Sequence, residues 1–340
     1  MADLSIEVNG IRFPNPFVLG SGPPGTNGKV IQRSFELGWG GIVCKTLSLE
    51  HEKVNNTVPR YGKLADVNDR KNVYGFQNIE LISDRPFDVW LEELTAAKEA
   101  YPDHVLIASI MEECEKDRWV EITERTQETG VDAFELNFSC PHGLPERKMG
   151  AAMGQDPDIV EEVTGWVKSV SKIPVWAKMT WKKSPWSPKK TLRPMPTVEG
   201  YTVPGGYSGR AVRPIALRQV MELARACPNL SISGMGGVEN ALDAAQFLAM
   251  GSQTVQVCTG AMLQGYEMIT ELCSGLSEFL DSKGMASVSD LVGVSLPYFS
   301  THHDLVDRQR AAKREKAGQA ERDSMWKGDI AKETDSLITD

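Results

Sequence analysis

The chain has 340 residues, of which 41% are apolar, enough to bury the core of one large barrel or of two ordinary domains. Its formal net charge of −9 argues against general nucleic-acid binding, because neutralising phosphates requires clustered cations. No apolar run approaches the roughly 20 residues of a membrane helix, and the first residues lack the basic and apolar regions of a signal peptide. We therefore expect a cytoplasmic protein that acts on small molecules or binds another protein.

Seven short runs rich in Val, Ile and Leu are spaced along the chain, with amphipathic stretches between them. Because these runs are nearly continuous in apolar residues, they predict parallel strands that are buried on both faces. The predicted strands are residues 17–20, 41–45, 105–111, 132–137, 174–178, 230–234 and 253–258.

The stretches between the runs predict helices. Asp156 is a typical N-cap, and Pro157 stands at the first helical position, after which apolar residues recur at helical spacing to residue 170. Two further helices are predicted from residue 214 to 223 and from 239 to 250. Glycines mark the expected ends of helices at Gly38, Gly130 and Gly251.

This alternation of strands and helices predicts an α/β fold with a parallel sheet, of the TIM-type (β/α)8 barrel class. A closed barrel of that class has eight strands, and only seven can be identified. Residues 181–204 contain five prolines, which interrupt both strands and helices. Residues 198–203 can form one short strand, but no helix accompanies it, so one β–α unit is expected to be missing or replaced.

The chain changes character from about residue 301. Basic residues alternate there with Ala, Glu and Gln, which is typical of a solvated helix or a frayed tail. The same segment also suits a docking arm for another subunit, anchored by Met325 and Trp326. The sequence therefore predicts a barrel over residues 1–300 and a charged C-terminal tail over residues 301–340.

The six cysteines are scattered and form no C-x-x-C pair. This spacing argues against a zinc ribbon, an iron–sulfur cluster or any other metal site built on cysteine. A disulfide framework is not expected in a chain of this size without an export signal. Most of the thiols are expected to be small core residues, and Cys140 is the exception.

Glycines follow the last two predicted strands, at Gly236 and Gly237 and at Gly260. Active groups of parallel barrels lie at the carboxyl ends of strands, and phosphates often bind after the seventh and eighth. Glycine lets backbone N–H groups approach a phosphate closely, although tight turns need glycine too. Lys45 and Lys178 end two other strands, which predicts a positive lining at the same end.

The strongest local motif is Asn-Phe-Ser-Cys-Pro-His-Gly, residues 137–143, which continues to Glu146 and Arg147. It places a thiol, Cys140, on a Pro- and Gly-rich loop directly after a strand, where core packing is a poorer explanation than inside a strand. His142 and Arg147 are close enough in sequence to depress the pKa of a thiol. The loop is well suited to act as a mobile lid.

Nearly the whole barrel region, roughly residues 4 to 295, resembles the flavin domain of dihydropyrimidine dehydrogenase, within the wider dihydroorotate dehydrogenase family. The motif at residues 137–143 carries the resemblance, together with Glu-Arg-Lys-Met-Gly at 146–150, Gly-Gln-Asp-Pro at 154–157 and Asn-Ile-Glu-Leu-Ile-Ser at 78–83. These segments resemble the pyrimidine-reducing branch of the family.

The resemblance implies FMN at the barrel mouth. The positions that match the flavin contacts of the family are Gly20, Ser21, Lys45, Thr46, Asn137, Lys178, Gly206, Ser208, Gly236, Gly237, Cys258 and Thr259. It further implies that Asn78, Glu80, Asn137 and Ser139 bind the pyrimidine, and that Cys140 gives a proton to C5 while the flavin gives a hydride to C6. A homodimer is also expected from the resemblance.

The chain departs from the family pattern in two places. The family has a strand ending in Asn-Thr between the positions of Lys178 and Gly206, and both of those residues contact substrate. Here the Pro-rich segment stands instead, so either Tyr201 and Thr202 substitute, or the site is incomplete, or the chain is a shortened variant or a defective gene model. Larger relatives also carry ferredoxin-type cysteine clusters. Without them, electrons from NADPH or NADH would arrive through a separate subunit or carrier.

Three hypotheses remain open. The first is an active oxidoreductase that interconverts uracil or thymine and the 5,6-dihydro form, acting on a CH–CH bond. The second is a related flavin enzyme that acts on dihydroorotate or another cyclic imide. The third is a catalytically impaired barrel that binds FMN weakly or not at all and serves as a subunit or remnant, which the missing β–α unit would support.

Overall fold

The computed structural model describes residues 1–66, 68–140, 149–179, 198–199, 201 and 205–315. Its strands are β1 (Ile6–Val8), β2 (Ile11–Phe13), β3 (Phe17–Leu19), β4 (Gly41–Val43), β5 (Tyr61–Ala65), β6 (Val73–Asn78), β7 (Val105–Ile110), β8 (Ala133–Asn137), β9 (Val175–Lys178), β10 (Gly206–Ser208), β11 (Ser233–Met235) and β12 (Thr254–Val257). Its α-helices are α1 (Gly28–Glu36), α2 (Phe87–Ala100), α3 (Lys116–Gln127), α4 (Pro157–Val170), α5 (Arg213–Ala226), α6 (Ala241–Ala249), α7 (Thr259–Gln264), α8 (Met268–Ser282) and α9 (His302–Glu315).

A seven-stranded parallel sheet forms the centre of the fold, in the order β11-β12-β3-β4-β7-β8-β9. Each predicted strand overlaps one strand of this sheet, so the strand prediction is confirmed. The residues of β3, β4, β7, β8 and β12 are buried throughout, as expected for strands covered on both faces.

The sheet curls in the manner of a barrel, and the described residues supply seven of the eight strands of a closed barrel. Among the described residues, β9 and β11 are its two ends, and each has a single neighbour in the sheet. The strands at this opening are also the least buried, since β9 contains no fully buried residue. The α/β class of the prediction is confirmed; the segment in which the eighth β–α unit was sought lies mostly outside the described residues.

Most of the Pro-rich segment, residues 181–197, 200 and 202–204, lies outside the described residues. Within it, Val198 and Tyr201 form an isolated antiparallel bridge through two hydrogen bonds of 2.9 Å. The described part of the suggested strand at 198–203 is this bridge alone.

The predicted helices are present. The Asp156 side chain accepts hydrogen bonds from the backbone N–H groups of Asp158 and Ile159, and so caps α4 at the predicted start. The helices predicted from residues 214 and 239 are α5 and α6. Gly38, Gly130 and Gly251 each follow the end of a helix, as predicted.

A second, antiparallel sheet was not predicted. It has the order β10-β6-β5, with Asn78 opposite both Gly206 and Tyr61. Its strands contain glycine and charged or amide residues in place of apolar runs, so the pattern that identified the parallel strands could not detect them. This sheet carries Asn78, Gly206 and Ser208, three of the residues assigned to the site by the sequence.

Contacts between residues divide the chain into two compact units, residues 1–296 and 297–340. In the second unit, helix α9 is largely exposed and has an ion pair between Arg308 and Asp304, one turn apart. Met325 and Trp326, the suggested docking anchors, lie outside the described residues. No helix in the described ranges is long and apolar enough to cross a membrane.

Candidate active site

A cavity of about 720 Å³ lies at the carboxyl ends of the parallel strands. This volume is in the range of small-molecule and cofactor sites, and the position is where barrel enzymes place their active groups. We call it the cofactor cavity. Nine of the twelve residues matched to flavin contacts line it: Gly20, Ser21, Lys178, Gly206, Ser208, Gly236, Gly237, Cys258 and Thr259.

One end of the cofactor cavity is a cradle of backbone that would exclude side chains. Gly236 and Gly237 follow β11 with φ of 133° and 74°, in the region that favours glycine. A Cβ atom on Gly237 would lie 2.6 Å from the Gly209 carbonyl oxygen, and one on Gly236 would lie 2.7 Å from the Ala216 Cβ atom. Beside them, the Thr259 hydroxyl donates a 2.8 Å hydrogen bond to the Ser208 hydroxyl. Closely approached backbone and two hydroxyl groups suit the phosphate of FMN.

Three of the matched residues lie behind the wall of the cavity. Thr46 Oγ1 is 3.2 Å from Ser21 Oγ, 2.8 Å from Ser109 Oγ, and accepts a 2.8 Å hydrogen bond from Asn137 Nδ2. Thr46 and Asn137 are buried, and Ser21 connects them to the cavity. Ser109 was missed by the sequence analysis. Its only signal is that it is the sole polar residue of the apolar strand β7.

The third residue behind the wall, Lys45, forms a buried ion pair with Glu80, with 2.7 Å between Nζ and Oε1. Lys178 forms the same kind of pair with Glu135, also at 2.7 Å. Each of the two lysines predicted to give the site a positive lining is therefore paired with a carboxylate. Gln256 Nε2 donates a 2.9 Å hydrogen bond to Glu135, which adds a third polar side chain to that pair. Glu135 and Gln256 were missed because each stands inside a strand otherwise identified by its apolar residues.

Glu80, predicted to bind substrate, is held by several donors. Besides Lys45, Arg60 donates a 3.3 Å hydrogen bond to Glu80 Oε1. Burial, and next a hydrogen bond to Glu80, raise the pKa of Tyr61. Asn78 stands two residues before Glu80, at the end of β6 opposite Gly206. The structure thus brings Asn78 and Glu80 to the side of the site formed by the antiparallel sheet.

The two remaining substrate candidates, Asn137 and Ser139, belong to the tight turn at residues 137–140, which we call the Cys140 turn. Ser139 lines the cofactor cavity. The thiol residue Cys140 is partly exposed, and its side chain packs against a small apolar cluster that includes Met111 and Met149. His142 and Arg147, suggested as neighbours of the thiol, lie outside the described residues.

The environments of the six cysteines differ, from the buried Cys44 to the exposed Cys227. Burial raises the pKa of the Cys44 thiol to about 12 and that of the Cys258 thiol to about 11. Cys258 therefore faces the cofactor cavity as a neutral thiol. Cys227 is exposed and is not one of the core thiols that were expected for most of the cysteines.

Comparisons with known proteins agree with this geometry. The family model described as dihydroorotate dehydrogenase matches residues 3–184 and 188–280. The chain is 47% identical to the chloroplastic dihydropyrimidine dehydrogenase (NADP(+)) of Arabidopsis thaliana, over 99% of this chain and 88% of that protein. It is 38% identical to the NAD-dependent dihydropyrimidine dehydrogenase subunit PreA of Escherichia coli, over 86% and 77%.

More distant relatives extend the comparison. The chain is 31% identical to the catalytic subunit of dihydroorotate dehydrogenase B (NAD(+)) of Pyrococcus abyssi, over 86% of this chain and 99% of that protein. A crystal structure of DHODH from Eimeria tenella in complex with ferulenol superposes with a TM-score of 0.71 at 18% identity, over 86% of this chain and 88% of that one. This last likeness concerns the fold.

The alignment with the plant protein also bears on the expectation that one β–α unit is missing or replaced. It has 376 positions against the 340 residues of the chain, so at least 36 positions have no counterpart here. A barrel of about 250 residues has about 30 residues in each β–α unit. The deficit is therefore large enough to account for one unit.

Proposed function

The chain belongs to the dihydroorotate dehydrogenase family, and we propose that it is an FMN-dependent oxidoreductase that interconverts a pyrimidine base and its 5,6-dihydro form. The observation that carries the proposal is the Cys140 turn at the edge of a cavity with a glycine cradle, in a chain 47% identical to a dihydropyrimidine dehydrogenase. Uracil and thymine are the substrates that this reaction class would use.

FMN, when bound, supplies the hydride chemistry at C6 of the pyrimidine. Gly236, Gly237, Ser208 and Thr259 would hold its phosphate through backbone N–H groups and hydroxyls. The other cavity-lining residues matched to flavin contacts, with Lys45, Thr46 and Asn137 behind the wall, would surround the remainder. The paired carboxylates Glu80 and Glu135 keep Lys45 and Lys178 in place at the wall.

Cys140 Sγ supplies the proton that C5 needs, because hydride addition to C6 leaves negative charge on the adjacent carbon and carbonyl. Asn78, Glu80, Asn137 and Ser139 offer the amide, carboxylate and hydroxyl groups that recognise the imide edge of a pyrimidine. In the opposite direction, the same sulfur takes the proton from C5. Cys140 is thus the catalytic residue of the proposal.

The chain would receive or deliver electrons through another protein. It has no C-x-x-C pair for an iron–sulfur cluster, and its Escherichia coli relative is named as a subunit. We propose that NADPH or NADH acts indirectly, through an electron-transfer subunit or carrier, and that the chain is a homodimer. The cytoplasmic location stays a prediction, since the plant relative is named as chloroplastic.

Two alternatives remain. Oxidation of dihydroorotate is favoured by the 31% identity to a catalytic subunit of that activity. A catalytically impaired FMN barrel is favoured by the Pro-rich segment between Lys178 and Gly206, since no eighth parallel strand is found among the described residues. The first alternative keeps the flavin site and differs from the proposal in what the pyrimidine side of the cavity accepts. The second binds FMN weakly or not at all and serves as a subunit.

The proposal is tested by substrate comparison. The purified chain is reconstituted with FMN and supplied with an artificial electron acceptor and with dihydrouracil, dihydrothymine or dihydroorotate. We expect acceptor reduction with dihydrouracil or dihydrothymine and little with dihydroorotate. Activity with dihydroorotate alone would favour the first alternative, and a chain that does not hold FMN, or that is inactive with all three, would favour the second.

A further inference from the structure

The side-chain amide of Asn137 is engaged almost entirely inside the Cys140 turn. Its Oδ1 atom accepts hydrogen bonds from Ser139 N at 3.0 Å, from Ser139 Oγ at 2.8 Å and from Cys140 N at 3.0 Å. Backbone N–H groups can only donate, so the oxygen and not the nitrogen of the amide must face the turn. This is the arrangement by which an Asn side chain builds a turn from its own following residues.

The nitrogen of the Asn137 amide is held by a second set of buried side chains. Asn137 Nδ2 donates to Thr46 Oγ1 at 2.8 Å, and Thr46 Oγ1 is 2.8 Å from Ser109 Oγ. All three side chains are buried. Asn137 ends β8, Ser109 lies in β7, and Thr46 lies three residues after the end of β4. A contact chain across three neighbouring strand ends therefore sets the position of the amide.

Cys140 is also held on its carbonyl side. Ala151 N donates a 2.9 Å hydrogen bond to Cys140 O. Gly150 allows this approach, because a Cβ atom there would lie 2.6 Å from that oxygen and its φ is 55°. Both backbone polar groups of Cys140 are thus bonded to described residues that lie on either side of residues 141–148.

We propose that Asn137 is the positioning residue of Cys140: its Oδ1 atom, oriented by Thr46 and Ser109, fixes the backbone that carries the thiol. The importance of that position for catalysis rests on the proposed function. The inference goes beyond the expectation that Asn137 binds the pyrimidine, since three of its hydrogen bonds are made to the turn itself.

The test compares N137A with N137D, and measures alkylation of Cys140 by iodoacetamide with mass spectrometry of each cysteine peptide. N137A removes the acceptor, and the loss of these bonds is expected to change the alkylation rate of Cys140 by about tenfold. N137D keeps an oxygen at the same place but replaces the amide N–H groups with a negative charge, which raises the pKa of a neighbouring thiol. Alkylation is therefore followed across pH and the rates are compared on the alkaline plateau, where the thiol is ionised in every variant. There we expect N137D to react within about twofold of wild type, since the bonds to the turn are retained. Cys227, exposed at the end of α5, is the internal reference.

Several outcomes would overturn the proposal. Alkylation of Cys140 in N137A at the wild-type rate would do so, as would equal rates in N137A and N137D when both differ from wild type. If N137A does not fold, hydrogen exchange on the wild-type chain decides. The amides of Ser139 and Cys140 are expected to be protected, and rapid exchange at both would overturn the proposal.

The measurements need neither flavin nor substrate. Failure to bind FMN, or to oxidise a dihydropyrimidine, would refute the proposed function and leave the alkylation result standing. Conversely, an active enzyme in which N137A leaves the reactivity of Cys140 unchanged would refute the positioning role alone.

Discussion

Replacement of Gly237 by alanine tests the glycine cradle. The left-handed φ of 74° costs a residue with a Cβ atom about 1–2 kcal/mol. The new atom would also lie 2.6 Å from the Gly209 carbonyl oxygen and 2.8 Å from the Arg210 Cα atom. Both neighbours are backbone, so relief requires movement of the chain, at a further 1–3 kcal/mol or so. The expected loss of unfolding free energy is therefore about 2–5 kcal/mol.

The matched control is G284A. Gly284 has a similar φ of 67°, but a Cβ atom there would meet nothing within 4 Å. We expect G284A to lose about 1–2 kcal/mol from strain alone. Urea denaturation of the flavin-free variants measures both losses, and FMN titration measures affinity. G237A should bind FMN at least about tenfold more weakly, equivalent to roughly 1.4 kcal/mol, and G284A with wild-type affinity. Equal stability of the two variants together with wild-type FMN affinity in G237A would refute the cradle.

Three further predictions concern charged and reactive groups. E135Q leaves Lys178 buried without its carboxylate, and should lower the unfolding free energy by about 3–5 kcal/mol in urea denaturation; a loss below about 1 kcal/mol would contradict the buried pair. A hydrogen bond from Lys53 lowers the pKa of Glu50 to about 2, from an ordinary value of 4.5. A depressed carboxyl pKa stabilises the folded state above pH 4.5, and that stabilisation is lost as the pH falls towards 2. E50Q should therefore show a weaker loss of stability than wild type between these pH values, by at most about 1 kcal/mol because the pair is near solvent, and identical pH profiles would count against it. C140A should retain the flavin spectrum and lose turnover by about 100-fold or more, as expected for removal of a general acid, whereas wild-type turnover would exclude the thiol from proton transfer.

The sequence was most informative where burial imposes a simple pattern. Strands β3, β7 and β12 are covered on both faces, so they appear as continuous apolar runs and could be located within a few residues. The antiparallel strands β5 and β6 contain glycine and polar residues, and their pairing depends on contacts distant in sequence. No local pattern therefore distinguished them from loop.

The site was predictable in its outline and not in its electrostatics. The motif around Cys140 and the glycines at Gly236 and Gly237 identified the cavity, because their residue types follow strand ends directly. The partners Glu135 and Ser109 stand within buried strands, where a single polar residue in a sequence is equally consistent with an exposed edge. Only the register of neighbouring strands places Glu135 beside Lys178.

The central claim is that this chain, whose described parallel sheet has seven strands, catalyses pyrimidine oxidation and reduction on FMN. The most direct measurement is the absorption spectrum of the FMN-reconstituted chain before and after anaerobic addition of dihydrouracil. The account predicts a bound-flavin spectrum whose visible band bleaches upon addition, with one uracil formed for each flavin reduced. A flavin band that persists in the presence of excess dihydrouracil would contradict it.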